Sequence, residues 1–236
     1  MGIYGLGKFR FQDDNGLSMG LLTGQARRHI WNYSMNECSQ MLSSMARVKV
    51  KNPAFVSKVA DRVDVDSVKS LSTLSLINLM ASFARLGTNK KGLWQLLSDE
   101  VSIRIQSDST ISSTDLTMAL VGYAYPNISK PHQALFQSVS LQLLERDTLS
   151  PDDILRYIKA CARVQYRDLE TLSHCASCLR RDPSIFPSLS KERLLELDSN
   201  LDKLGTEMAE VKQELSRLGF PVKSKVGTPW FRRRAS

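Results

Sequence analysis

The sequence predicts an all-α protein, an α-solenoid of about four helical-hairpin repeats with a period of 38–40 residues and a C-terminal capping or coiled-coil helix. Three observations carry that prediction: a short motif that recurs, an apolar stripe of helical spacing ahead of every copy, and a second stripe behind it. The copies are "MARV" at 45–48, "ASFARLG" at 81–87, "YAYP" at 123–126 and "CARV" at 161–164. Their alanines, Ala46, Ala84, Ala124 and Ala162, stand 38, 40 and 38 residues apart, a period typical of stacked repeats.

The first helix of each unit is read from the residues leading to the alanine. Eight positions before it stand Cys38, Leu76, Leu116 and Ile154; four before, Leu42, Met80, Leu120 and Ile158; one before, Met45, Phe83, Tyr123 and Cys161. That i, i+4, i+7, i+8 spacing gives a helix one buried face. Turn residues follow, as Asn52-Pro53, Gly87 to Gly92 and Pro126 to Pro131. The second helix carries Phe55, Val59 and Val63; Leu93, Leu97 and Val101; Leu135, Val139 and Leu143; and Leu172, Ala176 and Leu179. Helix starts are marked at Ser150-Pro151-Asp152-Asp153, where Ser caps, Pro takes the first turn and the acids face the positive dipole end. Ser112 and Asp115 repeat the spacing one unit earlier.

Four regions result: an irregular, glycine-containing N-terminal extension at 1–33, the repeat array at 34–187, a capping or coiled-coil helix at 188–220, and a basic arm at 221–236. In the third, Leu194, Leu197, Leu201, Leu204, Met208, Val211, Leu215 and Leu218 alternate spacings of three and four. One reading makes "LDKLG" at 201–205 a degenerate fifth copy that covers the end of the array; the other offers this helix to a partner helix.

The 236 residues carry a net charge of +8 and a pI of 9.4, which favours an acidic partner, nucleic acid or an anionic membrane surface. Five of the cations, Lys223, Lys225, Arg232, Arg233 and Arg234, lie in the acid-free arm beside Trp230 and Phe231. No apolar stretch approaches the length of a membrane span, so the chain is expected not to be transmembrane. Four cysteines in a chain of this length do not describe a secreted disulfide scaffold.

Catalytic, cofactor and metal sites are not expected. His174-Cys175-Ala176-Ser177-Cys178 holds one CxxC without the second ligand pair of a structural zinc site, and Cys161 takes a core position of the repeat. His29, His132 and His174 have no nucleophile context, and there is no glycine-rich phosphate loop. The residues that point to binding are Arg47, Arg85 and Arg163, each one position after the repeat alanine, with Tyr125 in the third unit. Two readings stand: cations complementing the C-terminal ends of helices, or a row of side chains aligned by stacking to meet phosphates and bases.

"LSLINLMASFARLG" at 74–87 and "DILRYIKACARV" at 153–164 resemble the helical-hairpin repeats of octotricopeptide-like, FAST-kinase-like and RAP-domain organellar proteins. The likeness covers about residues 34–187, and no RAP-like domain follows the repeats. The resemblance implies a mitochondrial or plastid protein that binds RNA. Together with the basic arm it leads to the expectation of a non-catalytic, RNA-associated structural component of a mitochondrial ribosome. Its partners would be rRNA, met by Arg47, Arg85, Tyr125, Arg163 and the arm, and neighbouring ribosomal proteins. The alternatives are a structural subunit of a respiratory complex or ATP synthase contacting only protein and lipid, and a free organellar RNA-processing factor.

Overall fold

The computed structural model describes Ile3 and residues 17–88, 90, 92–125, 132–181, 190–205 and 212–213. Among these residues are eleven α-helices and no strand. In chain order they are α1 (Leu17–Arg28), α2 (Met35–Arg47), α3 (Pro53–Asp61), α4 (Val65–Ser70), α5 (Thr73–Leu86), α6 (Leu93–Ser107), α7 (Ser113–Ala124), α8 (Gln133–Leu144), α9 (Pro151–Val164), α10 (Leu169–Arg181) and α11 (Lys191–Leu204). The fold is a helical-repeat array of two rows. The first helices of the units pack in sequence, α2 on α5, α5 on α7, α7 on α9 and α9 on α11. The second row runs beside it, with α1 on α3, α4 on α6, α6 on α8 and α8 on α10.

The repeat register follows from burial. Leu42, Met80, Leu120 and Ile158 are each no more than 2% exposed, and Cys38, Leu76, Leu116 and Ile154 are fully buried. The second-row stripes are buried as well, except Val63, which lies beyond the end of α3 and is only partly covered. Each such Leu or Ile gives about 1.5–3 kcal/mol relative to leaving it exposed, so the stripe drives each hairpin onto its neighbours. The first unit has an additional short helix, α4, because Asp64 starts a new helix by accepting the Ser67 N–H while Ser67 bonds back to the Asp64 N–H.

Serine starts the first helix of every unit. Ser34, Ser72, Ser112, Ser150 and Ser190 accept the N–H of Glu37, Ser75, Asp115, Asp153 and Arg193 respectively, and each satisfies a donor the helix cannot. The serines are 38, 40, 38 and 40 residues apart, and the first four stand twelve residues ahead of the repeat alanine. The fifth places Asp202 at the alanine position and makes α11 the first helix of a fifth copy. The helix ends repeat too. Three residues after the alanine position the backbone is left-handed at Lys49, Gly87, Gln165 and Gly205. In units one, two and four the next N–H returns to the residue before the alanine, Val50 to Met45, Thr88 to Phe83 and Tyr166 to Cys161, the bond that closes a Schellman cap.

The fifth copy differs where a sixth would pack. Asp198 takes the position of Leu42, Met80, Leu120 and Ile158, and Lys212 donates to Asp198 at 3.0 Å and also to Asp202. Polar groups in core positions end a stack, as a terminal repeat requires. Of the two readings of this helix, packing on α9 supplies the cap; Met208, Val211, Leu215 and Leu218, which would extend a coiled-coil seam, lie outside the described residues.

The N-terminal region is not irregular throughout. Leu17–Arg28 is helical and Ile30–Asn32 forms a 3-10 turn. Gly20 and Gly24 lower helix propensity, but packing on α3 overrides it, with Met19, Thr23, Ala26 and Ile30 buried. The buried Thr23 obscures this stripe in the sequence. Its hydroxyl donates to the Met19 carbonyl at 2.8 Å and accepts from Asn52 Nδ2 at 2.9 Å, which ties α1 to the cap of α3.

Candidate nucleic-acid interface

Hairpins return the chain at every unit, so the first-row helices point the same way and their C-terminal ends share one edge. Arg47, Arg85 and Arg163 lie in the last turns of α2, α5 and α9, and Tyr125 caps α7. All four are exposed. Arg47, Arg85 and Tyr125 line one groove of about 660 Å3, together with Ala46, Val48, Leu86, Lys49 and Lys51. Arg163 reaches the same edge from the next unit, its guanidinium 5.0 Å from the centroid of the Tyr125 ring. The structure therefore brings the four repeat residues together in order, three around the groove and the fourth on the aromatic rung.

The electrostatics are one-sided. Among the described residues, four cations and no acid line the groove. Among the described residues, Arg47, Lys49, Lys51, Arg85 and Arg163 form no ion pair, whereas Lys90, Arg104, Arg156, Lys159, Arg193 and Lys212 each sit against a carboxylate. A helix-end cation complements the dipole by about 0.3–1 kcal/mol, and that accounts for Arg47, Arg85 and Arg163. Lys49 and Lys51 lie beyond the helix, and the dipole gives them no such role.

A second arginine series shows what a structural arginine looks like here. Near the end of each second-row segment, Arg62, Arg104, Arg146 and Arg181 reach back to carbonyls just ahead of their own unit's capping serine. Arg62 donates to Tyr33 at 2.7 Å, Arg146 to Ile111 at 2.7 Å and Ser109 at 3.0 Å, and Arg181 to Asp147 at 2.6 Å. Arg104 donates to Leu71 and, at 3.1 Å, to Val68. These side chains use their donors inside the fold and close each hairpin. Arg47, Arg85 and Arg163 have no such bonds among the described residues; Arg47 and Arg85 line the groove, and Arg163 lies over the Tyr125 ring.

The repeat does not point to Lys49, because three residues after the alanine position the other units carry Gly87, Asn127, Gln165 and Gly205, and at the position of Lys51 only unit four has a cation, Arg167. The signal for them in the sequence is the alternation of Arg47, Lys49 and Lys51 in "ARVKVK". Lys49 holds φ of 59°, in a register where units two and five use Gly87 and Gly205. Lys223, Lys225, Trp230, Phe231, Arg232, Arg233 and Arg234 lie outside the described residues.

The cysteine segment is a packing feature. His174 Nε2 lies 2.9 Å from the Arg146 carbonyl, and Cys178 Sγ is 3.6 Å from the same nitrogen. Burial pushes the Cys161 and Cys175 thiols well above their ordinary range. Among the described residues no three His, Cys, Asp or Glu side chains are grouped to hold a metal, and no helix is long and apolar enough to cross a membrane. Buried Asp153 serves the fold: it accepts from Ser150, Ser113 and Thr117 and pairs with Arg156 at 2.9 Å, which joins α7 to α9.

No family model matches this chain, and no curated protein matches it.

Proposed function

We propose that this chain is a non-catalytic, RNA-associated structural component of a mitochondrial ribosome. The observation that carries the reading is the groove at the α2–α5–α7 edge, where Arg47, Lys49, Lys51 and Arg85 gather with no acid among the described lining residues. Guanidinium and ammonium groups with free donors are the groups that neutralise phosphates and release condensed counterions. Tyr125 adds an aromatic plane, and the arm at 221–236 adds five cations without an acid. An anionic membrane is matched less well, because a membrane-bound face combines its cations with a broad apolar plane. Here the cations surround a concavity. The compartment and the ribosome come from the family resemblance of the repeats.

Sedimentation of organelle lysate through a gradient tests the assignment. The full-length chain is expected to travel with rRNA and to leave it after ribonuclease treatment. Migration with a membrane complex, or at the top of the gradient, overturns the ribosomal reading. Binding of the purified chain to RNA should weaken steeply with salt, and Arg47→Gln with Arg85→Gln should flatten that dependence.

A further inference from the structure

We infer that the groove takes unpaired RNA, holding one base on Tyr125 and the adjoining phosphates on Arg85, Arg47, Lys49 and Lys51. The inference rests on the RNA reading above and adds which form of RNA is bound and how many bases are stacked.

Three observations lead to it. Tyr125 is the single aromatic residue at its repeat position; units one, two and four carry Arg there and unit five carries Lys203. An array reading one base per repeat would need such a platform in every unit, so this edge holds one. The ring is half exposed and lines the groove, while the Arg163 guanidinium lies 5.0 Å from its centroid. Cation–π contact of this kind holds the ring in place, and the ring keeps half of its surface exposed at the groove. Among the described residues, the cations that line the groove come from α2 and the segment after it or from α5, on one side of Tyr125. A strand laid across the edge would therefore place a base at Tyr125 and its neighbouring phosphates over the cations. Neighbouring helices pack about 8–10 Å apart, so the site spans only a few nucleotides.

Duplex RNA does not satisfy this arrangement. Its bases are stacked on one another and cannot rest on a side chain, whereas an unpaired base can leave its neighbours and stack on an aromatic plane. The groove volume of about 660 Å3 is also that of a small-ligand pocket.

The test compares an unstructured poly-U oligomer with a duplex RNA of equal charge, bound to the full-length chain at low salt. The single strand is expected to bind about tenfold tighter. Tyr125→Leu should remove that advantage, weakening single-strand binding about tenfold and leaving duplex binding and the melting temperature unchanged; Tyr125→Phe should retain it. Equal affinity for the two forms, or a Tyr125→Leu variant that binds the single strand as the parent does, overturns the inference while the RNA reading stands. Binding of neither RNA overturns both.

Discussion

A Cβ placed on Gly122 would stand 3.1 Å from the backbone nitrogen of Ala81 and 3.2 Å from its Cα. This is a direct measure of how tightly α7 is laid on α5, and the obstacle is main chain, which cannot swing aside. Helix propensity alone favours replacing a mid-helix glycine by about 1 kcal/mol. A branched side chain would instead force the two helices apart, and Gly122→Val should cost about 1–3 kcal/mol net. Thermal unfolding checks this: a melting temperature at or above that of the parent would mean that the two helices separate without loss and that the approach does not hold the rows together.

The two arginine series predict opposite responses to the same substitution. Arg146→Met removes charged donors from the Ile111 and Ser109 carbonyls and should destabilise by about 1–3 kcal/mol. Arg85→Met removes a side chain without an ion-pair partner among the described residues and should stay within about 0.5 kcal/mol, while lowering RNA affinity. Chemical denaturation and RNA binding measured on both variants separate a hairpin clasp from a ligand contact. Equal stability losses would show that Arg85 is structural and remove it from the interface.

Much of the fold is legible in the sequence because the core positions keep strict helical spacing. That spacing alone picks out Leu42, Met80, Leu120 and Ile158, and the repeat alanines pick out the edge shared by Arg47, Arg85, Tyr125 and Arg163. The capping serines keep the same interval, and at Ser112 and Ser150 an acid three residues on marks the helix start. The clasp arginines are hidden for a physical reason. Loops between the two helices of a unit vary in length, so Arg62, Arg104, Arg146 and Arg181 fall 28, 32, 34 and 31 residues after their serines. They converge only in space. Helix α1 is hidden by the glycines and by Thr23, whose burial depends on Asn52, 29 residues away.

Acid should loosen the array through its caps. Hydrogen bonds from Ser34 hold the Glu37 carboxyl below the usual carboxylate range, those from Ser67 do so for Asp64, and those from Thr110 for Asp108. Burial works against ionisation of Asp168, and hydrogen bonds from Ser140, Thr171 and Tyr157 outweigh it. A carboxyl whose folded pKa is depressed contributes stability above its unfolded pKa and loses it as the pH falls through the folded one. The melting temperature should therefore be nearly level from about pH 7 to 5 and fall below about pH 4. Thr110→Ala, which removes the hydroxyl that donates to Asp108 at 2.6 Å, should make the fall shallower. An equally steep fall in that variant would assign the acid sensitivity to other groups.

Lys49 offers a test in which stability and binding move in opposite directions. Its backbone is left-handed at φ 59°, a conformation that costs a residue with a Cβ about 1–2 kcal/mol. Gly87 takes the left-handed conformation at the same position of unit two without that cost. A side chain kept in an unfavourable backbone state is expected where the side chain serves a site, and this one lines the acid-free groove. Lys49→Gly should relieve the backbone by about 1 kcal/mol and raise the melting temperature by about 2–4 °C. It should also weaken single-stranded RNA binding and reduce the salt slope by about 0.7, the share of one phosphate contact. Gln165→Gly is the matched control. Its residue holds the same φ of 59° outside the groove, so the substitution should leave RNA binding unchanged while its loss of the Gln165–Ala162 hydrogen bond offsets part of the gain in stability. A Lys49→Gly variant that is stabilised but keeps the parent's salt slope would show that Lys49 meets no phosphate, and the cationic lining of the groove would reduce to Arg47, Arg85 and Lys51.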